Sequence, residues 1–440
     1  MPEFHLPKLR QASNKEKAMK EELLHFIWRT KQFIHLPLQT TTEEEITIIQ
    51  AGIYNTNAGP DFLNAKIRIG QEVWVGHIEM HLKSSDWIKH QHQNDAAYQN
   101  VILHVVLEED IVIKNSSGAT IPCLVLKKNI PKRLKGKYLE MLQAENWIAC
   151  QSSLPKIPKE RIALWLDRMV IERLEEKTNH LLQRLRENQF DWEASLYHSL
   201  GYSFGLKVNA DAFEALMQSI PLTIIAKHQN SLLQLEALLF GQAGMLEEVF
   251  EERYPNQLKK EYQFLKHKYQ LQGIVVPWKF MRMRPANFPS IRIAQMAAFL
   301  FQTHHLVSKV LAAQAVKELV NLFDLQVSLY WKAHYQLDKE SRKKAKKAGI
   351  QFRRNVIINS FVPFLFAYAK ARQLPRYQEK ALAFLSEIPC EKNVLVRRFE
   401  AIGMPKVDSA YQSQALLQLK KRYCDVQGCL SCAIGHEVLK

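Results

Sequence analysis

Hydrophobic and polar positions change period partway along the chain. Between Lys15 and Phe33 the residues Met19, Leu23, Phe26, Ile27 and Thr30 recur at helical spacing, with Glu21 and Glu22 beside that stripe, which predicts a first helix. EITIIQAG then reads as a strand ending at Gly52, and YNTNAGPD as a tight loop on its Asn, Gly and Pro content. AKIRIG and VWVGHIEMHL follow as two strands joined by a turn at Gly70 and Gln71. Asp95 to Asn100 predicts a short helix, and VILHVVLE is a nearly continuous apolar strand of the kind buried on both faces. The predicted order is helix, three strands, helix, strand.

A hairpin around Asn115 to Gly118 leads into IPCLVL, and Lys127 to Lys137 is a basic connection containing helix breakers. From Lys159 the period is helical almost throughout. Ile162, Trp165, Leu166, Met169, Val170 and Leu174 form one apolar face, and similar faces recur to Leu419 without a fixed repeat. The expected architecture is an α/β domain over 1–130, a connection over 131–158, and a mainly α-helical domain over 159–440 that carries a C-terminal cysteine cluster. The most apolar late run, Val356 to Ala369, holds Asn359, Ser360 and Pro363 and is too short to span a bilayer, so a buried helix is expected there.

Composition narrows the class. With 440 residues, 47% hydrophobic and 24% charged, the chain has material for two or three packed domains. A formal charge of +16 favours polyanionic partners such as nucleic acid. The first residues, MPEFHLPKLRQASNKEKAMKEE, lack the apolar core of a signal peptide, so a cytoplasmic protein without membrane spans is expected. In that compartment the 6 cysteines point to metal or thiol chemistry rather than to a disulfide framework.

The chemistry concentrates between Asn57 and Glu108. Alternation along VWVGHIEMHL sends His77, Glu79 and His81 to one face of a strand and Ile78, Met80 and Leu82 to the other. Asp61 stands just ahead of the preceding strand. Hydrolysis of a phosphodiester needs two or more hard oxygen ligands to hold Mg²⁺ or Mn²⁺, which polarises the phosphate and acidifies a water; Asp61 and Glu79 meet that need. Each residue also has a structural reading: Asp61 as a turn residue, Asp86 in SSDW as a helix cap or turn residue, His104 in VILHVV as a core histidine. A competing reading gathers His77, Glu79 and His81 with His90, His92 or His104 into a His-rich transition-metal site.

The order of elements, with Pro60-Asp61 before the second strand and Glu79-Met80-His81 on the third, resembles the core of the PD-(D/E)XK nuclease superfamily. That resemblance implies Asp61 and Glu79 as metal ligands, His81 in the place of the family's lysine, and Glu22 as the helical glutamate, with Glu21 an equal candidate. Asn94 and Tyr98 match, with Asn for Gln, a Gln/Tyr pair of the RecB-like subgroup. His81 lacks the permanent charge of lysine, which points to Mn²⁺ or to lost activity. Taken whole, through AGPDF, GHIEMH, SSDW, NVILHVV, MRPANFP and CLSC, the chain resembles the bacterial domain-of-unknown-function family 2851, which implies no particular activity.

Two basic stretches are candidate phosphate contacts. PWKFMRMRPANFPSIR offers Arg282, Arg284 and Arg292 among aromatics and prolines, and KESRKKAKKAGIQFRR offers Lys343, Lys344, Lys346 and Lys347. The structural alternatives are arginines bound to buried carbonyls and a solvated helix end. Near the C-terminus Cys424, Cys429 and Cys432 have the spacing C-x4-C-x2-C, suited to zinc or an iron–sulfur cluster, with Cys150, Cys390 and His436 as candidate fourth ligands. Some RecB-like nucleases join one distant and three clustered cysteines, which makes Cys150 the choice by resemblance. The sequence therefore leads to a metal-dependent nuclease whose His81 orients or deprotonates the attacking water. The alternative is a non-catalytic nucleic-acid-binding protein on a degenerate scaffold.

Overall fold

The computed structural model describes residues 20–34, 37–391 and 393–440. These divide into two compact units. One is the chain through Trp165 with Ile402–Met404 and Lys420–Lys440; the other is Leu166–Ala401 with Pro405–Leu419.

The first unit is built on a mixed seven-stranded sheet. Helix α1 (Glu21–Thr30) buries Leu23, Leu24, Phe26, Ile27 and Trp28 and ends at Lys31 in the left-handed conformation. Lys15 to Met19, where the predicted helix would begin, lie outside the described residues. The strands are β1 (Leu38–Gln39), β2 (Glu45–Gln50), β3 (Ile53–Tyr54), β4 (Phe62–Ile69), β5 (Glu72–Lys83), β6 (Val101–Glu108) and β7 (Cys123–Val125). Their order is β1-β2-β4-β5-β6-β7, with β3 against the start of β4. β2, β4 and β5 pair antiparallel, whereas β5–β6 and β6–β7 pair parallel. In β4 Ala65, Ile67 and Ile69 are buried while Lys66 and Arg68 face solvent, the period of two that a half-buried strand requires. β6, flanked on both sides, is buried from Val101 to Val106.

Two features after β5 depart from the predicted string. The connection between the parallel strands is a one-turn helix, α2 (Asp86–Lys89), followed by 3₁₀ turns at His92–Asn94 and Ala96–Tyr98, where one helix from Asp95 was expected. Lys132–Gln143 is a helix, α3, where a breaker-rich connection was expected. Pro131 precedes its first turn, where a missing N–H is harmless, and Leu134, Tyr138 and Met141 are buried. The residues 131–158 are thus part of the first unit.

The C-terminal segment also belongs to that unit, not to the helical one with which the sequence grouped it. The turn Cys429–Ser431 and the last helix, Ala433–Leu439, are tied down by Arg29 Nη2 donating to Leu430 O at 2.9 Å and Lys137 Nζ donating to Val438 O at 2.9 Å. Such long-range bonds carry no local period and leave no trace in the pattern.

The second unit is mainly helical. Its centre stacks Phe204, Phe299, Phe323 and Phe361, with Val356 to Ala367 almost wholly buried across a π-helical stretch at Ile357–Phe361. No helix among the described residues is long and apolar enough to cross a membrane.

Candidate metal centre at the β4–β5 edge

Asp61 is delivered by a loop that folds on itself. Asn55, not Asp61, supplies the turn bonds: its Nδ2 donates to Ala58 O at 3.1 Å and Pro60 O at 3.0 Å, and its N–H reaches Asp61 O at 2.8 Å. Gly59, at φ +100°, makes the bend with a backbone conformation that side-chain-bearing residues avoid. The Asp61 carboxylate is left free to cross to the next strand. There Oδ2 accepts from Met80 N–H at 2.9 Å, while Asp61 N–H donates to Glu79 Oε2 at 3.1 Å. Each acidic residue is therefore fixed by the other's strand.

Imidazoles close around the pair. His25 of α1 places Nε2 at 3.2 Å from Asp61 Oδ2, and His92 places Nε2 at 3.2 Å from Glu79 Oε1. Both nitrogens are buried, each with its carboxylate oxygen as nearest partner. That spacing is the one an imidazole–carboxylate pair adopts, and also the one two ligands about 2.1 Å from a shared ion and at right angles would adopt. His81 Nε2 lies 3.5 Å from Glu79 Oε1 and 3.1 Å from His90 Nδ1, and its Nδ1 is 2.8 Å from His104 Nε2. Donor atoms of His81, His90 and His92 all fall within 4.8 Å of one another, the one such set of three among the described residues.

The electrostatics suit a cation. Burial pushes the Glu79 carboxyl up to about 7, opposed by His92 and reinforced by the charge of Asp61. Burial also drives His81 down to about 2, with the imidazoles of His104, His92 and His90 adding to the effect, and holds His104 near 4. Neutral imidazoles need lose no proton to bind a metal, and a metal would remove the cost of the buried carboxylates. Tyr98 stacks on His92 with ring centroids 3.8 Å apart, and burial first, then Glu79 and Asp61, pushes its hydroxyl up to about 12.

The predicted residues divide cleanly. Asp61, Glu79 and His81 converge. Of the two helical glutamates, Glu21 faces the centre: burial raises its carboxyl, Leu82 N–H bonds to it, and Asp61, His25 and His90 act on it. Glu22 is exposed and acts on Tyr54 and Tyr138 instead. His77 turns away and accepts from Asn64 N–H at 3.2 Å. Asp86 closes a turn, accepting from Lys83 N–H at 3.1 Å and Lys89 Nζ at 2.6 Å. His25 escaped the sequence reading; the available signal was its place four residues after Glu21, on the same face of α1.

Two of the proposed phosphate contacts are internal. Arg292 is buried, donates to Gln295 Oε1 at 2.7 Å and Asn287 Oδ1 at 2.6 Å, and lies 3.5 Å over the Phe352 ring. Lys346 is buried too, donating to Lys332 O at 3.3 Å over Tyr335. Arg282, Arg284, Lys343, Lys344 and Lys347 are not buried, the lysines lying on an irregular segment rather than a helix.

A family model described as a protein of unknown function, DUF2851, matches residues 21–394. The chain belongs to that family. The DUF2851 match takes in α1, both carboxylates, every imidazole of the centre and Cys150, and stops short of Cys424, Cys429 and Cys432. No curated protein and no solved structure matches the chain.

Proposed function

We propose that the first unit is a metal-dependent phosphodiesterase acting on nucleic acid. The observation that carries this reading is the reciprocal locking of Asp61 and Glu79, which turns one carboxylate toward His25 and the other toward His92. The succession of α1, antiparallel β2, β4 and β5, a helical connection and parallel β6, with Asp61 at the head of β4 and Glu79 on β5, supports a PD-(D/E)XK-like core. A charge of +16 supports a polyanionic substrate.

The ion would sit at the set His81, His90 and His92, with Glu79 3.2 Å from His92 and Asp61 locked to Glu79, and the imidazole share favours Mn²⁺, Fe²⁺ or Zn²⁺ over Mg²⁺. When bound, the metal supplies Lewis acidity toward the phosphate and lowers the pKa of water. His81 serves to orient the site rather than to take a proton, because both its nitrogens are engaged by neighbouring imidazoles. The grouping of His81, His90 and His92 favours a second reading, a His-rich transition-metal site without hydrolysis.

The test is cleavage of labelled single- and double-stranded DNA and RNA with Mg²⁺ or Mn²⁺ by the full chain, beside Asp61→Ala and Glu79→Ala. Metal-dependent cleavage that disappears in both variants is expected. Absence of cleavage, with metal still bound and released on His90→Ala or His92→Ala, would favour the second reading. Salt-sensitive nucleic-acid binding that persists in all variants without cleavage would indicate a non-catalytic binding protein.

A further inference from the structure

Residues two apart on a strand leave from the same face, so β4 and β5 each present a row of side chains. On β4 the row is Arg68, Lys66 and Asn64, all exposed. On β5 it is Val73, Val75 and His77, and the next member is Glu79. The register sets Arg68 beside Val73 and Lys66 beside Val75. Both rows run toward the carboxylates. His77 Nδ1 accepts from Asn64 N–H at 3.2 Å, which joins the rows one step before Glu79, and Asn64 stands three residues after Asp61.

The junction is a built one. Asn64 holds φ +54°, where the register of β4 against β5 shifts between Phe62 and Ala65. A bulge of this kind re-aims the side chains next to it, and here it lies where the two rows meet the metal centre.

The rows differ in cover along their length. Val73 and Val75 are 50% and 62% exposed, whereas Glu79 and His81, further along the same row, are buried against His90 and His92. Lys66 and Arg68 make no ion pair among the described residues, unlike Arg292 and Lys346, whose donors are spent inside the other unit. The acid on their face, Glu45 of β2, lies at the far end, where its carbonyl accepts from Gly70 N–H at 2.9 Å.

A cationic row beside an apolar row discriminates between nucleic acids. A duplex turns its bases inward and would leave the valines uncovered. A single strand carries phosphates along one edge and bases along the other, so it covers both rows at once. Same-face residues lie about 6.8 Å apart along a strand, a step comparable with one nucleotide of an extended single strand, and the neighbouring row is about 4.8 Å away. We propose that the β4–β5 face binds single-stranded nucleic acid, with Lys66 and Arg68 on successive phosphates, bases against Val73 and Val75, and the strand passing Asn64 and His77 into the metal centre. This track rests on the phosphodiesterase reading, whose substrate it names, but it is read by binding rather than by cleavage.

The experiment follows fluorescence anisotropy of labelled DNA and RNA of about 20 nucleotides, single-stranded and duplex, with the full chain over a salt series without added Mg²⁺ or Mn²⁺. Two double variants stand beside the unaltered chain, Lys66→Gln with Arg68→Gln and Val73→Ser with Val75→Ser. Single strands are expected to bind more tightly than duplexes. The charge variant should lose single-strand affinity about 25-fold at about 0.1 M salt and lower the salt slope by about 1.4, the share of two phosphates. The valine variant should weaken single-strand binding at an unchanged slope and leave duplex binding as it was. A slope unchanged in the charge variant, or preference for the duplex, would overturn the track. All four side chains are exposed, so melts of both variants should match the unaltered chain; if the valine variant melts early, the charge variant decides alone. Cleavage with Mn²⁺ separates the two readings. Cleavage and binding both unaffected in the charge variant would strike the track and leave the hydrolase, whereas a lowered slope in a chain that never cleaves would keep the track and strike the hydrolase.

Discussion

His81 Nδ1 and His104 Nε2 are hydrogen-bonded at 2.8 Å between adjacent parallel strands, His104 standing opposite Glu79 in the ladder. Two neutral imidazoles in that arrangement fix each other's tautomer, so His104 determines which nitrogen of His81 faces Glu79 and His90. His104→Leu is expected to weaken binding of Mn²⁺ or Zn²⁺ about 10- to 100-fold with the fold retained, as read by calorimetric titration and circular dichroism. His104→Gln, which keeps a hydrogen-bonding group, should recover part of that affinity. Unchanged affinity in His104→Leu would remove His81 from the centre.

Gly76 is where the β5–β6 register admits no side chain. A Cβ there would collide with Ile102 Cγ2 and sit 2.5 Å from Asn100 O, a backbone atom that cannot swing aside. Gly76→Ala is expected to cost about 1–3 kcal/mol in urea unfolding through overpacking. Metal affinity should fall with it, because β5 carries Glu79 and His81.

Glu236 sets a pH dependence in the helical unit. It is fully buried; its Oε2 accepts from Tyr254 Oη at 2.7 Å, Trp331 Nε1 at 3.1 Å and Ser328 Oγ at 3.3 Å, while Oε1 has no partner. Burial raises its carboxyl from 4.5 to about 7. The folded state then holds a proton that the unfolded chain releases, so stability falls as pH rises from the unfolded to the folded value and levels off above it. Glu236→Gln, which cannot ionise, should gain on the unaltered chain by an order of ~3 kcal/mol between about pH 4.5 and 7.5 in denaturant melts. Parallel stability curves for the two proteins would contradict this.

The arginines of MRMRPANFPSIR should separate by role. Arg292→Met is expected to lower stability by about 2–4 kcal/mol, because Asn287 and Gln295 lose their buried donor, and to leave nucleic-acid affinity of the folded protein unchanged. Arg282→Ala with Arg284→Ala should spare stability, weaken binding across sequences and reduce the salt slope by about one for each phosphate no longer neutralised. Filter binding over a salt series with parallel melts distinguishes them.

Much of this was legible in the chain itself. The alternation of β4 and β5, the continuous apolar run of β6 and the helical period after Lys159 fix element types, because side-chain faces follow directly from a period of two or 3.6. The same alternation places Glu79 and His81 on one face, and the cysteine spacing is visible without any fold. Elements of a single turn were not legible: α2 and the two 3₁₀ turns are too short to show a period, although they bring His90 and His92 to the centre.

What the tertiary structure decided was partnership. Glu21 rather than Glu22 faces Asp61 because the rotation of α1 is set by burying Leu24, Ile27 and Trp28. His25 joins the carboxylates, and Arg292 and Lys346 disappear into the interior, each through packing between segments far apart in sequence. Local period determines which way a side chain leaves its own element; only the packing of elements against one another determines what it meets, since a buried polar group must find its partner wherever the core provides one.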